Sequence, residues 1–453
     1  MSDTIVALAT PLGRSGIGVI RLSGNDSLGI SQKLIKDETF HPQPRRAILK
    51  KIYEVETNEL IDEVIITYFQ SPNSFTGEDV IEIASHGSPI ILRQIIDNCL
   101  KLNARMAEAG EFSLRALMNG RMNLSQAEAI RDLIDAQTVA AARQSIRQLR
   151  GEFSNQLQPL KDRLLNVIVV LESTLEFVED DLPDYQSQQI KQNLFEIATE
   201  LEKLANTFRA GKLLREGLKV AFVGRPNVGK SSIFNALIGH ERAIVTDIAG
   251  TTRDSLHEKL VIKNIPISLI DTAGLRETTD TVESIGVERT KKTLADADLV
   301  VVVLDSSQNF TDEDNEILLQ SEELNRLIVV NKTDISQFEI YKSQIPISKS
   351  QIFAISAKTG EGLDYLEDAI IEPFAPQDIQ NTGFLVSDAR HYDLLRRAKD
   401  DIEHSIILLD HKMSEEIVLI GLHNAIRYLG EITGETTTED VLTRIFSTFC
   451  IGK

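Results

Sequence analysis

A lysine and a serine directly follow the second of two glycines in Gly224–Ser231, which reads GRPNVGKS. Glycines at this spacing let successive backbone N–H groups turn toward phosphate oxygens, and a helix that begins there adds the positive end of its dipole. Lys230 can then reach the outer phosphates, while the Ser231 hydroxyl can ligate Mg²⁺. The pattern therefore predicts a loop that binds the phosphates of a nucleotide.

Three further short sequences each follow an apolar run that is typical of a strand. In DTAG, Asp271 can hold Mg²⁺ indirectly and the backbone N–H of Gly274 can meet a γ-phosphate. In NKTD, Asp334 can accept hydrogen bonds from the two donors on the edge of guanine, whereas adenine would leave this carboxylate unpaired. SAK follows IFAI, where a fifth base-contacting loop is expected. Four such sequences in this order predict a GTP-binding domain.

The residue after DTAG is Leu275, at the position where Ras-like GTPases place the glutamine that orients the attacking water. An apolar side chain cannot orient water, so another polar group is needed, and Glu283 is the best-placed candidate. A solvated glutamate at a helix start is the alternative for Glu283. Asn227 offers a neutral carbonyl oxygen beside the phosphates, which suits a large monovalent cation. The alternative for Asn227 is a turn residue after Pro226.

Strands that alternate with helices must position these loops. From Gly217 onward the runs GLKVAFVG, ISLIDTAG, LVVVVLD, RLIVVNKTD and IFAISAKTG predict a mostly parallel, doubly wound sheet. Before it, short β-like runs mixed with a helix give way to apolar residues at helical spacing, and that spacing returns after the sheet. We therefore predict an α+β domain at 1–118, an all-α domain built from 119–215 and 377–453, and an inserted α/β domain at 216–376.

Two helix starts within the predicted all-α domain are indicated by pairs that resemble capping boxes. Ser125 with Glu128 predicts the start of a helix that runs toward residue 151, and Thr436 with Glu439 predicts the start of the last helix. In such a pair the hydroxyl accepts a hydrogen bond from the backbone three residues on, and the carboxylate accepts one in return. Both pairs are therefore expected to lie at helix N-termini.

The charge balance limits how nucleic acid could be bound. The 453 residues include 48 Lys and Arg against 68 Asp and Glu, a formal net charge of −20. A chain this acidic cannot hold nucleic acid through a general phosphate-neutralising surface, so such a partner would bind locally or through a second protein. Two cysteines, Cys99 and Cys450, indicate a reducing compartment, and no apolar run approaches a membrane span. We expect a cytoplasmic protein with no membrane partner, in which Cys99 is a small buried hydrophobe.

The whole chain resembles the MnmE (TrmE) family of tRNA modification GTPases. The resemblance rests on GRPNVGKSS, IVTDIAGTTRD, DTAGLR and VESIGVER in the inserted domain, on SFTGED, HGS, GEFS and RMNLSQAEAIRDLIDA upstream, and on the terminal FCIGK. It implies an N-terminal folate-binding and dimerisation domain, a helical domain, and an inserted Ras-like P-loop G domain of the TrmE-Era-EngA type. This layout matches the domains predicted above.

For the G domain, the resemblance implies K⁺ binding by Asn227, Thr246, Ile248 and Thr251, Mg²⁺ binding by Ser231 and Thr252, and positioning of the attacking water by Glu283. The motifs together give a set of expected contacts to GTP or GDP and its ions: Asn227, Val228, Gly229, Lys230, Ser231, Ser232, Thr246, Asp247, Ile248, Ala249, Gly250, Thr251, Thr252, Asp271, Thr272, Ala273, Gly274, Asn331, Lys332, Asp334, Ser356, Ala357 and Lys358.

For the N-terminal domain, the resemblance implies that a 5-formyl- or methylene-tetrahydrofolate cofactor is bound by Arg21, Glu82, Arg121 and the C-terminal Lys453. Arginine and lysine suit the carboxylates of the folate tail, and a carboxylate suits the pterin N–H edge. Arg121 stands where the family often has lysine, which preserves charge but changes geometry. Cys450, in FCIGK, becomes a candidate for one-carbon chemistry beside the folate.

The resemblance also implies partners and a reaction. The chain would form a homodimer and join an FAD-dependent flavoprotein, MnmG (GidA), in a heterotetramer that acts on tRNA. GTP hydrolysis would accompany addition of an aminomethyl or carboxymethylaminomethyl group to C5 of the wobble uridine at position 34. The alternative is a binding switch of the Era type, which carries an RNA-binding KH module with a GxxG clamp in a basic context. We find no such pattern after the G domain in this sequence.

Overall fold

The computed structural model describes residues 3–176, 184–240, 257–271, 297–336, 338–343, 345, 351–374 and 383–452. Its helices, in chain order, are α1 (Ser27–Ile35), α2 (Pro89–Lys101), α3 (Glu111–Met118), α4 (Leu124–Asp135), α5 (Val139–Leu149), α6 (Glu152–Glu176), α7 (Asp184–Asn206), α8 (Phe208–Glu216), α9 (Lys230–His240), α10 (Asp312–Gln320), α11 (Phe338–Lys342), α12 (Leu363–Ile371), α13 (Ala389–Asp410), α14 (Glu415–Thr433) and α15 (Glu439–Phe446).

Its strands are β1 (Ile5–Leu8), β2 (Ser15–Ser23), β3 (Ala47–Tyr53), β4 (Leu60–Phe69), β5 (Val80–Gly87), β6 (Arg105–Met106), β7 (Leu218–Val223), β8 (His257–Ile262), β9 (Ile265–Asp271), β10 (Leu299–Asp305), β11 (Arg326–Asn331) and β12 (Ile352–Ala354). The chain divides into two compact units, which we describe separately. The first comprises Met1–Ile134, Arg147–Asn193 and His404–Lys453, and the second comprises Asp135–Ile146 and Leu194–Glu403.

The first unit contains a six-stranded sheet in the order β3-β4-β5-β2-β1-β6. Neighbouring strands are antiparallel except β1 and β6, which are parallel. Along the second half of β2 buried residues tend to alternate with partly exposed ones, as expected when one face of a strand lies on a core. Leu34 of α1 and Ile95 and Cys99 of α2 belong to that core. Burial raises the pKa of the Cys99 thiol to about 12, and the expectation of a buried hydrophobe is confirmed.

The long helix α6 packs along α14 in the same unit. Its buried residues recur every three or four positions, which places them on one face of the helix. They include Phe153, Leu157, Leu160, Leu164, Ile168 and Leu171, and Lys161 and Val167 are buried beside them. Just after α14, the Glu435 carboxylate lies 2.5 Å from the Lys161 ammonium of α6. The segments with predicted helical spacing therefore form packed helices here. None of the helices that the structure describes is long and apolar enough to cross a membrane.

The first predicted helix start is wrong by two residues, because Asn123 caps α4 in place of Ser125. The Asn123 side chain accepts a hydrogen bond from the Gln126 backbone N–H at 2.9 Å, and the Gln126 side chain accepts one from the Asn123 backbone N–H at 3.0 Å. Ser125 is buried within the helix, where it accepts hydrogen bonds from Gln148. Asparagine is as strong a cap as serine, and Gln126 three residues on completes a capping box with Asn123. The helix also ends before α5, short of the predicted run.

The second predicted cap is also wrong by two residues, in the opposite direction. The residue before α15 is Thr438, which has extended backbone, so the cap position is two residues after the predicted Thr436. The Thr436 hydroxyl instead donates to the backbone carbonyl of Arg427 in α14, at 3.0 Å. Thr436 thus lies before the cap position, with its side chain directed at α14. The helix itself is where the sequence predicts it.

The second unit contains the predicted doubly wound sheet, in the order β12-β11-β10-β7-β9-β8. The strands from β12 to β9 are parallel, and every residue of β10 is buried, as expected for a central strand covered on both faces. The edge strand β8 is antiparallel to β9 and joins it through Lys263 and Asn264, whose positive φ angles fit a two-residue hairpin turn. The loops after β7, β10, β11 and β12 leave the sheet at one edge, where ligands bind in folds of this class.

Candidate functional site

The predicted phosphate loop connects β7 to α9 at this edge. Asn227 has a φ of 63° and Gly229 a φ of 100°, both in the left-handed region. A methyl group on Gly229 would lie 2.2 Å from Nδ2 of Asn331, so this position has room only for glycine. The loop therefore has the strand, tight turn and helix order in which backbone N–H groups face a phosphate.

The Lys230 ammonium lies inside the loop. Lys230 is buried, and its Nζ donates to the carbonyl oxygens of Gly224 at 2.7 Å and Arg225 at 2.8 Å. Ser231 and Ser232 are exposed in the first turn of α9, where the helix end favours an anion. A hydroxyl and an amide oxygen are hard donors of the kind that Mg²⁺ and K⁺ take, so Ser231 and Asn227, the latter also exposed, fit the expected ions.

Asn331 ties three loops of the site together. It follows β11 and is buried, with its Nδ2 donating to the carbonyl of Val228 at 3.0 Å. Its Oδ1 accepts a hydrogen bond from the backbone N–H of Ala357 at 3.1 Å. The phosphate loop, the NKTD segment and the SAK segment therefore share one side chain. Both polar atoms of Asn331 are used within the protein, which the sequence alone did not indicate.

Asp334 lies at the surface of the same edge. Its Oδ1 accepts a hydrogen bond from the hydroxyl of the buried Ser356 at 2.9 Å. Within the described ranges, Oδ2 of Asp334 has no hydrogen-bond partner, so it is available to a ligand. Lys358, two residues beyond Ser356, is exposed. The serine thus orients the carboxylate on which the guanine preference is predicted to depend.

Lys332 contacts both the phosphate loop and a buried aspartate. Its Nζ donates to the backbone carbonyl of Asn227 at 3.0 Å and to Oδ2 of Asp305 at 2.6 Å. Asp305 ends β10 and is fully buried, and its Oδ1 accepts from the backbone and hydroxyl of Ser307. Burial alone would raise the pKa of Asp305, but the hydrogen bonds from Lys332 and Ser307 bring that pKa below its usual value. Sequence reasoning missed Asp305, whose signal is a lone carboxylate at the end of an apolar strand.

A second residue missed by sequence reasoning anchors the phosphate loop from its other side. Arg225 Nε donates to Oδ1 of the buried Asp314 in α10 at 2.7 Å. Oδ2 of Asp314 also accepts from the backbone and hydroxyl of Thr311, which completes a capping box at the start of α10. The spacing of Thr311 and Asp314 indicates the cap, but only the fold brings Arg225 to it.

In the first unit, Arg21 and Glu82 lie side by side on adjacent strands β2 and β5. Nε and Nη2 of Arg21 donate to Oε1 of Glu82 at 3.0 and 2.7 Å, and Nη1 donates to the carbonyl of Gly452 at 3.3 Å. The rings of Phe75 and Phe112 lie 5.6 and 5.8 Å from the guanidinium, within cation–π range. The structure therefore brings two expected folate-binding residues together with the C-terminal FCIGK segment.

The C-terminal segment pairs with the loop before α3. Ile451 forms an antiparallel bridge with Ala109, and the carbonyl of Cys450 accepts a weak hydrogen bond from Gly110 at 3.4 Å. The Cys450 side chain is exposed. Arg121 is exposed beside Gly77, and the part of the chain that is described shows no hydrogen bond from Arg121 to Arg21 or Glu82. Cys450 thus lies two residues before Gly452, whose carbonyl Arg21 contacts, whereas Arg121 is not hydrogen-bonded to the pair.

Several expected site residues lie outside the described residues. They are Thr246, Asp247, Ile248, Ala249, Gly250, Thr251, Thr252, Thr272, Ala273, Gly274, Glu283 and Lys453. Asp271 ends β9, but its side chain is likewise not described. Among the expected ion ligands, Asn227 and Ser231 are therefore the ones whose surroundings are known. Elsewhere in the described ranges, no group of three or more His, Cys, Asp or Glu residues is arranged to hold a metal ion.

Two family models match the chain. The model for the GTP-binding protein TrmE N-terminus matches residues 4–121, and the model for the MnmE helical domain matches residues 124–450. Among solved structures, that of an Aquifex aeolicus Era variant bound to GDP and AlF₄⁻ is 28% identical and covers 41% of this chain and 66% of that chain, with a TM-score of 0.28.

Curated relatives match from end to end. The tRNA modification GTPase MnmE of Aquifex aeolicus (strain VF5) is 43% identical over 457 residues, which cover 100% of both chains. The tRNA modification GTPase MnmE of Clostridioides difficile (strain 630) is 41% identical over 459 residues, again with 100% of both chains covered. With this identity along the full length, and with both family models matched, the chain belongs to the MnmE family of tRNA modification GTPases.

Proposed function

We propose that GTP hydrolysis by this GTPase drives modification of the wobble uridine of tRNA at C5. The GTP-binding part of the proposal rests on the convergence of three loops on one sheet edge, where Asn331 joins the phosphate loop to the segment that holds Ser356 and Asp334. A carboxylate held in place with one oxygen open suits the two donors of guanine. The tRNA part rests on the likeness to tRNA modification GTPases along the whole chain. The domain limits at 118, 215 and 376 are part of the same proposal.

K⁺ is the second element of the proposal. Asn227 is exposed in a left-handed turn beside the phosphate loop, and its amide oxygen is a neutral donor of the kind that a large monovalent cation takes. Thr246, Ile248 and Thr251 would complete that site, Ser231 and Thr252 would hold Mg²⁺, and Glu283 would position the water. A bound cation supplies the positive charge for which other GTPases use an arginine finger. Lys230, held inside the loop, adds a second positive charge.

A reduced folate is the third element. Arg21 lies over two aromatic rings and beside the Glu82 carboxylate and the C-terminal segment, an arrangement that offers charge to carboxylates and an acceptor to N–H groups. Arg121 and Lys453 would add further positive charge for the folate tail. The folate supplies the one-carbon unit when bound, and the exposed Cys450 thiol is a candidate to act beside it.

The remaining elements concern assembly. The net charge of −20 argues for a partner that brings the tRNA surface, and we assign this role to an FAD-dependent flavoprotein of the MnmG (GidA) class. Two copies of this chain would dimerise through the N-terminal domain and form a heterotetramer with that partner in the cytoplasm. The product would carry an aminomethyl or carboxymethylaminomethyl group at position 34.

Mass spectrometry of wobble uridines tests the reaction directly. In tRNA from cells that lack this chain, we expect the C5 group at position 34 to be absent, and a plasmid copy should restore it. The D334N variant, whose guanine contact is altered, should restore it poorly. If cells that lack this chain carry the C5 group at the same level as the parent strain, the proposal is overturned and a binding switch of the Era type is favoured.

Two measurements on the purified chain test the ion and the folate. GTP hydrolysis should be faster in KCl than in NaCl at equal ionic strength, because the smaller ion fits a cage of carbonyl oxygens badly, and an N227A variant should lose the difference. Identical rates in both salts would remove K⁺ from the proposal. A reduced folate should remain bound to the parent chain and be lost from an R21A variant, and equal retention by both would remove Arg21 from the folate site.

A further inference from the structure

Asp305 is a fully buried charged residue of the second sheet for which the family assignment gives no role. It stands at the carboxyl end of β10, in register with Asn331 at the end of β11. Its side chain is fully buried, and both of its oxygens are occupied. Oδ1 accepts two hydrogen bonds from Ser307, at 2.9 Å from the backbone and 2.6 Å from the hydroxyl. This leaves Oδ2 pointing in one fixed direction, toward Lys332.

Lys332 connects Asp305 to the phosphate loop. Its ammonium lies 2.6 Å from Oδ2 of Asp305 and donates at 3.0 Å to the backbone carbonyl of Asn227. A charged hydrogen bond of this length is short and strong, and a flexible lysine stem needs such an anchor to hold one geometry. A chain of two hydrogen bonds therefore runs from a buried carboxylate to the backbone of the loop.

Asn227, which accepts the second of these two hydrogen bonds, has a left-handed backbone conformation. Its φ is 63°, a conformation that asparagine adopts more readily than most other residues with a side chain. The direction of its carbonyl and the direction of its side chain follow from the same backbone angles. Holding the carbonyl against Lys332 therefore fixes the backbone from which the Asn227 side chain projects, and so limits where its amide can lie.

We propose that Asp305 is a positioning residue of the nucleotide site, which acts through Lys332 to set the orientation of Asn227 and so the affinity of the site for K⁺. This inference rests on the proposed function, in which Asn227 is a K⁺ ligand. Asp305 remains ionised while buried because Lys332 and Ser307 stabilise its charge, so the anchor is present throughout the neutral pH range. Asp305 itself touches neither nucleotide nor ion.

The D305N variant tests the proposal, because it keeps the shape of the side chain and removes its charge. The concentration of K⁺ that gives half-maximal GTPase activity should rise about tenfold, the ratio that corresponds to one charged hydrogen bond. At saturating K⁺ and GTP, kcat should stay within about twofold of the parent, since excess ion compensates for a weaker site. The affinity for a fluorescent GDP, measured without turnover, should fall as well, because Lys332 is released.

The matched control is D298N. Asp298 lies just before the other end of β10, where its carboxylate accepts a hydrogen bond from the Lys219 backbone N–H, and it is exposed. This variant makes the same chemical change next to the opposite end of β10 and should leave the K⁺ dependence unchanged. A purely structural effect of Asp305 would lower kcat or the folded fraction with no change in half-maximal K⁺, and that result would overturn the proposal.

A second pair of variants decides the matter if D305N does not fold. K332M leaves the Asp305 charge buried without its cation, so adding D305N to K332M should raise the melting temperature. The two chains should then have the same GDP affinity and the same half-maximal K⁺, because Asp305 has nothing left to position. A further loss in the double variant would show that Asp305 acts by another route and would overturn the proposal.

The same measurements separate this inference from the proposed function. If the parent chain hydrolyses GTP equally well in K⁺ and Na⁺, the K⁺ part of the proposed function fails, and with it the link from Asp305 to the ion. If the parent is activated by K⁺ and D305N has the same half-maximal K⁺ as the parent, the proposed function stands and the positioning role of Asp305 is overturned.

Discussion

At the scale of single residues, Asp334 is the side chain on which the choice of base should depend. One of its oxygens is held by Ser356, and in the described part of the chain the other has no partner. A carboxylate can only accept, whereas the amide of asparagine presents a donor at one of the two positions. A ligand that offers two donors to Asp334 therefore meets a mismatch in the variant.

The D334N variant should bind GTP more weakly and should accept xanthosine triphosphate, whose base presents an acceptor where guanine has a donor. The expected loss is about 1.5 to 3 kcal/mol for each hydrogen bond to the charged group. Competition binding with GTP, XTP and ATP measures it, and D312N, at an exposed position in the first turn of α10, serves as control. Equal affinity of the parent chain for ATP and GTP would contradict the base preference.

The spacing of residues in sequence indicates some of the site and conceals the rest. Lys230 directly follows the second glycine of its motif, and Asp334 lies at a fixed number of positions after the end of a strand. The sequence alone therefore identifies both residues. Asp305 pairs with Lys332, 27 positions away, and Arg225 pairs with Asp314, 89 positions away. No local sequence pattern indicates such pairs. Asn331 was expected to contact nucleotide, and only the fold shows that its amide joins three loops.

At the scale of elements, α8 makes a close backbone contact that depends on a glycine. A methyl group on Gly211 would lie 2.1 Å from the carbonyl oxygen of Val386 and 2.7 Å from its carbonyl carbon. Both atoms belong to the backbone, so neither can move aside as a side-chain tip would. The helix therefore approaches the segment before α13 as closely as a helix can.

The G211A variant should be less stable than the parent by about 1 to 3 kcal/mol, because the helix must shift away from Val386. G239A is its control: Gly239 is exposed in α9, with no atom within 4 Å of an added methyl group. There the better helix propensity of alanine should stabilise the chain by up to about 1 kcal/mol. Thermal denaturation of both variants measures the effects, and a loss of stability in both would show that the contact at Val386 is not the cause.

The start of α13 makes stability depend on pH. Asp388 accepts hydrogen bonds from the Arg390 backbone N–H and from Arg215 of α8, and it is mostly buried. Burial would raise the pKa of Asp388, but the charges of His391 and Arg215 lower it well below its usual value. A lowered pKa in the folded state means that Asp388 stabilises the fold above the pKa of the unfolded chain, about 3.9, and loses this effect as the pH falls further.

The D388N variant should therefore have a lower melting temperature than the parent at pH 7, since Arg215 loses its counter-charge. The difference between the two chains should shrink as the pH falls below about 4, where the carboxylate of the parent begins to take up a proton in the unfolded state. Melting temperatures from pH 7 to pH 3 check this expectation. A difference that stays constant over that range would assign the effect to geometry and not to charge.

Element types were easier to predict than their ends. The apolar runs of β7, β10 and β11 and the helical spacing of α6 decide whether a segment is strand or helix, and each agrees with the structure. The helix starts near 125 and 436 were misplaced because several polar residues in a row can each cap a helix, and the fold selects among them. The strands β3 and β8 were not predicted, since their pairing depends on partners elsewhere in each sheet.

At the scale of the whole molecule, the fold class was predictable because its signals are long. The alternation of strands and helices from residue 217 and the helical spacing on either side indicate an inserted α/β domain without any detail of packing. The wobble-uridine reaction is different, because no described group reveals it. Only the likeness to MnmE along the whole length of this chain leads to that proposal.

Coupling between hydrolysis and modification is a prediction at this scale. We expect G domains of two copies to pair when GTP is bound, and to separate after hydrolysis, so that the surface offered to the flavoprotein and tRNA changes. The E283A variant should bind GTP and close but hydrolyse slowly, and it should fail to modify tRNA. Spin labels on the G domains, measured with GDP and with GDP, aluminium fluoride and K⁺, report the distance in each state.

The control for this prediction is the distance distribution of the parent chain in both states. E283A should show the short distance for longer than the parent after GTP is added. Coincident distributions in the GDP and aluminium fluoride states, or normal wobble-uridine levels in cells that carry E283A, would separate hydrolysis from modification.

The amide of Asn331 has a consequence for how the pocket meets the two halves of its ligand. One half of the ligand is a base and the other a string of phosphates, yet the loops that receive them are joined by a single side chain. Ordering either loop also orders the other, so the half that arrives first lowers the entropy loss of the half that follows. By reciprocity, guanosine should strengthen the binding of pyrophosphate by the same factor as pyrophosphate strengthens that of guanosine. The binding free energy of the intact nucleotide is then more favourable than the sum of the binding free energies of guanosine and pyrophosphate. The pocket therefore discriminates against either fragment alone.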